Sequence, residues 1–321
     1  MLEEKYREAY KKIKEAKNIL VVTHYRPDGD ALSSMGIMIE LLESLHKNYH
    51  AFCSDTPPFQ FNFLPHVEKI KSNRDELNFS DFDLFIALDC GSLNRTNLTK
   101  EIGHRRNDQV AIEFDHHPKI DNYSNVEVRN AKASSTVEVL YYFLKANKVR
   151  FNKNFANCIL TGILTDTGNL LYESTSEKTI KITSEMLVYG ARYPMILENT
   201  WRNKSLLSMR VWGKAMSNLK INSFYNFAYS FLTKEDIQNS GVTEEELEGI
   251  PGFLSNLSGV KALVFMREED GGKIKGSLRT THPDVDISKL AQILGGGGHK
   301  RASGFVIDGH FEEVDGNWRI V

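Results

Sequence analysis

Cysteine is scarce in this 321-residue chain: Cys53, Cys90 and Cys158 stand far apart, with no CxxC spacing. That excludes a disulfide framework and a cysteine-ligated zinc site, and leaves three reduced, half-buried small residues. Long apolar runs are missing too, so nothing in the sequence reads as a membrane span. The opening stretch MLEEKYREAYKKIKEAKN is charged and helical in pattern and lacks the apolar centre of a secretory signal. A cytoplasmic protein with no membrane partner is the expectation. An excess of basic charge is also absent. A formal net charge of -2 argues against an electrostatic grip on long duplex nucleic acid, and leaves short oligonucleotides or single nucleotides open as substrates. Internal repeats and low-complexity tracts do not occur, apart from one glycine run, Gly295 to Gly298.

What is present is enough apolar material for a sizeable core. The chain is longer than the roughly 250 to 300 residues at which single cores stop growing, so two domains are expected. The first shows a rhythm of strand, loop and helix. Residues 18–23 (NILVVT) form a short apolar run, followed by the loop HYRPDGD and by ALSSMGIMIELLESL, whose apolar residues recur at helical spacing. The same grammar returns at residues 83–88 (DLFIAL), ending in Asp89, and at residues 110–114, ending in Asp115, His116 and His117. Continuous apolar strands separated by helices predict a parallel sheet covered on both faces, with ligands beyond the carboxyl ends of its strands.

Residues 134–146 and 154–166 read as further helices, the second closing on Asp166. The pattern loosens over 190–212, which we read as a helical linker between modules 1–189 and 213–321. In the second module, residues 224–231, 262–266 and 273–280 read as strands, and ISKLAQIL as a short helix running into GGGGHKRASGFVI. The expected fold class is therefore α/β: a parallel-sheet domain, a helical linker and a smaller mixed α/β domain.

Polar residues gather where the strands of the first module end. His24, Asp28 and Asp30 come from a single turn, shaped by Pro27 and Gly29. Taken alone, DGD is a turn whose aspartate caps the following helix. Asp89, the histidine pair and Asp166 at the same sheet edge favour the other reading. Six or seven ligand-type side chains with no cysteine among them suit a pair of divalent ions of the Mn or Mg type better than structural zinc.

THYRPDGDALSS, LDCGSLNRT, FDHHP and TGILTDTGNL, in that order and spacing, resemble the four motifs of the DHH phosphoesterase superfamily, and GSLRTTHPDVDISKLAQILGGGGHKRASGF resembles its DHHA1 domain. By length and layout the chain is most like the NrnA-like group of oligoribonucleases and pAp phosphatases. Ser33 and Ser303 stand where that pattern usually shows glycine and alanine. The resemblance implies two ions, Mn2+ first and Mg2+ or Co2+ as alternatives. His24, Asp28 and Asp89 would hold one, and Asp30, Asp89, His116 and Asp166 the other, with Asp89 bridging. It further implies that Asp115 orients the histidines, that His117 faces the scissile phosphate, and that a metal-held hydroxide attacks phosphorus. Arg95, six residues beyond Asp89, is a candidate phosphate contact or an ordinary surface arginine.

The glycine run reads as a flexible turn or as a backbone cradle for an anion. His299 and Arg301 directly after it, with Arg279 on a preceding strand, favour a clamp for phosphate or base formed with Gly296, Gly297 and Gly298. The remaining histidines have no ligand neighbours at useful spacing and read as surface or capping residues. Trp201 and Trp212 read as packing, and Glu244, Glu245, Glu246 and Glu248 as a solvated helix face.

The expected activity is metal-dependent hydrolysis of short oligoribonucleotides, linear dinucleotides such as pApA and 3',5'-bisphosphate nucleotides. A RecJ-like exonuclease on longer single strands is disfavoured by the near-neutral charge. The family II pyrophosphatase branch lacks the glycine-rich tail. A non-catalytic nucleotide sensor would have lost ligands, and here the full set is present. A homo-oligomer is compatible with the sequence, which does not specify one.

Overall fold

The computed structural model describes residues 2–247, 249–314 and 317–321. In β1 (Asn18–Val22), Ile19 and Val21 pack into one apolar cluster while Leu20 and Val22 pack into another. A strand does this when both faces of its sheet are covered, because successive side chains point to opposite faces. The other strands of the first unit, residues 1–203, are β2 (Asn48–Phe52), β3 (Ile70–Lys71), β4 (Leu84–Leu88), β5 (Val110–Asp115) and β6 (Val126–Arg129). They lie in the order β3-β2-β1-β4-β5-β6, and each neighbouring pair is parallel.

The helices of this unit are α1 (Leu2–Glu15), α2 (Gly29–Ser44), α3 (Thr99–Gly103), α4 (Thr136–Ala146), α5 (Lys153–Asp166), α6 (Glu177–Val188) and α7 (Tyr193–Thr200). Ile102 of α3 joins the cluster on one face, and buried residues of the other six join the cluster on the opposite face. Several starts follow from capping chemistry: Asp28, Ser135 and Asn152 accept main-chain N–H bonds at the N-termini of α2, α4 and α5. From β1 the chain builds outward to β2 and β3, then returns to place β4 on the other side. The resulting break in strand order between β1 and β4 is where an open α/β sheet leaves a crevice at its carboxyl edge.

The second unit, residues 204–321, opens with α8 (Leu206–Ser217). Its strands are β7 (Lys220–Asn222), β8 (Phe227–Leu232), β9 (Ala262–Glu269), β10 (Lys273–Arg279), β11 (Gly297–Gly298), β12 (Ala302–Asp308), β13 (Phe311–Val314) and β14 (Asn317–Ile320). Six form a mixed sheet in the order β11-β12-β10-β9-β8-β7, parallel only between β8 and β9, and β13 pairs with β14. The stretch read as a linker is divided between the units. Ile196 of α7 lies in the core of the first, whereas Val211 and Trp212 of α8 lie in the core of the second.

All three cysteines are fully buried, not half-buried. His66 also departs from the surface reading: its imidazole is largely buried and lies 2.5 Å from Glu40 Oε2. Glu246 accepts hydrogen bonds from Ser205 Oγ and the Thr243 N–H, so it is engaged by its own unit, and Glu248 falls outside the described residues. Among the described residues no helix is long and apolar enough to cross a membrane.

Candidate metal centre

Each residue that the sequence singles out as a ligand lies at the carboxyl edge of the parallel sheet or at a helix end. His24 follows β1, Asp28 and Asp30 open α2, Asp89 follows β4, Asp115 ends β5 with His116 and His117 after it, and Asp166 ends α5. The turn after β1 is tied to the one after β4, since the Tyr25 N–H donates to the Arg95 carbonyl at 2.8 Å. Asp28 combines two tasks. Its Oδ1 caps α2 by accepting from the N–H groups of Asp30 and Ala31 at 3.1 and 3.0 Å, and its Oδ2 lies 3.9 Å from His24 Nε2.

Asp89 stands at the centre. Its backbone is left-handed, with φ of 58°, a conformation Asp and Asn tolerate better than most residues. Its N–H is held by the Phe114 carbonyl at 2.9 Å. The two carboxylate oxygens then point to different neighbours. Oδ2 lies 3.8 Å from His24 Nε2, whereas Oδ1 lies 3.7 Å from His116 Nε2 and 3.4 Å from His117 Nδ1. Three overlapping groups have ligand atoms within 4.8 Å of one another: His24, Asp28 and Asp89; Asp30, His116 and Asp166; and Asp89, His116 and His117.

The charges are arranged for a cation. Burial first, then the neighbouring carboxylates, pushes Asp30 up to about 8 and Asp166 up to about 7, and raises Asp89 well above the ordinary carboxylate value. A divalent ion would replace the protons that such crowding favours. Burial also lowers the basicity of His24 and His116, which favours the neutral imidazole that ligates. These donors fit hard divalent ions. Asp30 has a further support: its Oδ2 and Oδ1 accept the first N–H groups of α4, from Thr136 at 2.6 Å and Val137 at 3.1 Å, where the helix dipole is positive.

Asp115 holds His117. Its Oδ1 accepts from the His117 main-chain N–H at 2.7 Å and lies 2.9 Å from Nδ1, while its Oδ2 accepts from the Gly91 N–H at 2.7 Å. Burial acts to raise the Asp115 carboxyl, but its hydrogen bonds and electrostatic attraction to His117, together with the charge of Arg129, outweigh it and hold the group at about 2. His116 Nδ1 faces the Ala133 carbonyl at 3.4 Å, so the two histidines are oriented by different acceptors. Arg95 is half-buried, with Nη1 3.3 Å from the Cys90 carbonyl. A Cβ added at Gly91 would lie 3.4 Å from Arg95 Nη1 and 3.6 Å from His117 Cγ, so the two side chains flank one glycine. Sequence reasoning missed Thr136, whose hydroxyl donates to Asp89 Oδ1 at 2.7 Å, and the buried pair Glu113 and Arg129 beneath the histidines. A serine-threonine step before an apolar helix is the only signal Thr136 offers.

In the second unit Arg279 ends β10 in register with Ala302, the residue after Arg301, so both arginines lie at one end of that sheet. Arg279 Nη1 donates to the Leu278 carbonyl at 2.8 Å, and Arg301 Nη1 to the His282 carbonyl at 2.5 Å. His299 and Ala302 exchange main-chain hydrogen bonds at 2.8 and 3.2 Å, closing a tight turn that Ser303 Oγ reinforces by donating to the His299 carbonyl at 2.6 Å. Two of the glycines have a packing reason. A Cβ on Gly296 would fall 2.0 Å from the Gly304 carbonyl oxygen, and one on Gly298, with φ of 135°, would fall 2.7 Å from that of Ala302. Gly297 has open space where a side chain would be.

Comparison with known proteins gives the same division. Residues 18–163 match the model of the DHH family, N-terminal domain, and residues 225–315 match that of the DHHA1 domain. The chain is 29% identical over 290 residues to the bifunctional oligoribonuclease and PAP phosphatase NrnA of Bacillus subtilis, covering 89% of this chain and 88% of that one. It is 27% identical to the protein of the same name from Thermus thermophilus, covering 91% of this chain and 84% of the relative. Among solved structures, an exopolyphosphatase-related protein from Bacteroides fragilis superposes with a TM-score of 0.84 at 27% identity, covering 94% of this chain and 90% of that one. With each domain model falling inside one folded unit, the chain belongs to the DHH phosphoesterase superfamily, as a DHH domain followed by a DHHA1 domain.

Proposed function

We propose that the protein is a divalent-metal-dependent phosphoesterase that hydrolyses short oligoribonucleotides, linear dinucleotides such as pApA among them, and 3',5'-bisphosphate nucleotides such as pAp. The observation that carries this reading is the split of Asp89, one carboxylate oxygen toward His24 and the other toward His116. A carboxylate so placed suits a bridge between two ions. His24, Asp28 and Asp89 would hold one ion, and Asp30, Asp89, His116 and Asp166 the other. Two ions held there, Mn2+ first and Mg2+ or Co2+ as alternatives, would supply Lewis acidity toward the phosphoryl oxygens and a water. Similarity to relatives named as oligoribonucleases and PAP phosphatases supports the substrate class.

The chain's own residues supply the rest. With Nδ1 on the Asp115 carboxylate, His117 is assigned to present Nε2 to the substrate. There it donates a hydrogen bond to the phosphoryl group and delivers a proton to the departing oxygen as the phosphorus–oxygen ester bond breaks. Arg95, beside the same glycine as His117, is assigned to a phosphate oxygen. In the second unit, Arg301, His299 and Arg279 are assigned to a phosphate or base remote from the reacting bond. The backbone at Gly297 is assigned to close approach, and Gly296 and Gly298 to shaping the turn that presents it.

The test is a substrate panel with purified protein and Mn2+: two- to five-nucleotide RNA, pAp, pApA, pyrophosphate and long single-stranded DNA. Turnover of the first three classes and not of the last two is expected. Pyrophosphate cleavage alone, or degradation of the long strand, would reassign the enzyme to another branch of the superfamily. Ion binding without turnover of any substrate would leave a nucleotide sensor.

A further inference from the structure

We propose that Arg129 is a positioning residue for His117, holding the peptide from which that imidazole hangs; the proposal rests on the phosphoesterase reading above. β5 ends at Asp115, and the seven residues from 118 to 124 form neither strand nor helix. His117 therefore lies beyond the ladder that orients the rest of its strand. Pro118 follows it and has no N–H to give. Asp115 takes the N–H of His117 at 2.7 Å, and Arg129 Nη1 donates to its carbonyl at 2.6 Å and to that of Pro118 at 3.4 Å. The peptide groups on the two sides of His117 are thus held by side chains of opposite charge. Those side chains face each other, since Arg129 Nη2 lies 3.4 Å from Asp115 Oδ2.

Arg129 is itself fixed. It is the last residue of β6, in register with Asp115, and its side chain is only 6% exposed. Nε donates to Glu113 Oε1 at 2.9 Å, and Nη2 bonds the same oxygen. Glu113 and Asp115 are two residues apart on β5, on one face of the strand. The planar fork of the guanidinium can serve both carboxylates and the His117 carbonyl together, which a lysine ammonium on a flexible stem cannot. A buried ion pair is a poor device for stability, because the desolvation of both charges offsets their attraction. Orientation of the group it touches accounts for its presence directly beneath the histidine assigned to the phosphate.

The decisive variants are R129M combined with E113Q, which keeps the buried charge balanced, and R129K, which keeps the charge and loses the fork. Both are compared with wild type by thermal unfolding, Mn2+ titration, steady-state kinetics on a dinucleotide, and NMR of protein labelled with 15N-histidine. For R129M/E113Q, kcat should fall about tenfold to a hundredfold, as misplacement of a reacting group does. KM and Mn2+ affinity should stay within about threefold of wild type. Placed in H117A, the pair should cause no further loss, and R129K should rescue only in part. The His117 ring signals should shift or broaden while those of His24 stay in place. Wild-type kcat, unmoved His117 signals, a loss that multiplies with H117A, or a loss that follows Mn2+ affinity would each overturn the role. If the double variant does not fold, R129K is judged by the same readouts. A wild-type protein inert toward the whole panel would sink the phosphoesterase reading, and the histidine spectra would still decide whether Arg129 holds His117.

Discussion

Thr136 binds two carboxylates of the candidate metal centre at once: its hydroxyl donates to Asp89 Oδ1 at 2.7 Å, and its main-chain N–H donates to Asp30 Oδ2 at 2.6 Å. The first residue of α4 thus selects which oxygen of Asp89 remains for His24. Outer partners of this kind are worth about tenfold to a hundredfold in metal affinity or activity. Thr136→Val, which keeps volume and removes the hydroxyl, should weaken Mn2+ binding by that amount, and Thr136→Ser should recover most of it. Isothermal titration of the two variants decides; a valine variant that binds like wild type would make the hydroxyl contact incidental.

Asp89→Ala should abolish turnover and weaken binding of both ions while leaving a folded protein, because the residue follows the end of β4 and its buried side chain belongs to neither apolar cluster. Asp89→Asn should behave alike and keep the left-handed backbone more comfortably. Circular dichroism checks folding, and turnover at limiting Mn2+ checks the assignment. Full activity there would end the case for a shared ligand.

His116 and His117 should separate ligation from chemistry. His116→Ala is expected to lose metal, whereas His117→Ala should largely retain it and lose rate by about a hundredfold or more, the scale of general acid catalysis. Mn2+ titrations showing equal losses would mean that both imidazoles ligate, as the group of Asp89, His116 and His117 also allows.

Arg301→Ala tests the second unit. A charge-assisted hydrogen bond contributes roughly 1.5 to 3 kcal/mol, so kcat/KM on a short RNA should fall by about tenfold to a hundredfold. A small chromogenic phosphodiester with no second phosphate should be hydrolysed nearly as before. Equal loss on both substrates would point to chemistry or folding, and no loss would leave the residue a structural donor to the His282 carbonyl.

The glycine run should divide by packing. Gly296→Ala forces a methyl against the Gly304 carbonyl and should cost about 1 to 3 kcal/mol, the range of overpacked sites. Gly297→Ala meets open space, so its unfolding temperature should stay near wild type while substrate affinity falls if an anion approaches there. Equal unfolding temperatures for the two variants would contradict the described turn.

The gathering of ligand-type residues at the candidate site was legible in the sequence because several of them close apolar runs, and an apolar run that stops at an acid or a histidine is visible in one dimension. β2, β3 and β6 escaped for the opposite reason. NYHAF, IK and VEVR are short or half polar, and sheet neighbours stabilise them where local pattern does not. Arg129 escaped with β6, and its partner Glu113 is concealed inside an otherwise buried strand. The loosened pattern over 190–212 reads as a linker because α7 and α8 each turn a narrow apolar stripe to a different core. For Gly296 and Gly298, a cradle and a tightly packed turn ask for the same residue, so composition alone could not tell them apart.

The left-handed backbone at Asp89 limits what can ever occupy that position. Among carboxylates only the shorter one pairs that geometry with a reach matched to His24 on one side and His116 on the other. A glutamate would add a methylene and take the strain of a conformation it adopts poorly, at a cost of roughly 1 to 2 kcal/mol. A saturation library at residue 89, selected for turnover, should therefore return aspartate alone. Selected only for folding, it should return other small residues as well, glycine and asparagine foremost and alanine at some cost in stability, so tolerance and activity at this position would be different alphabets.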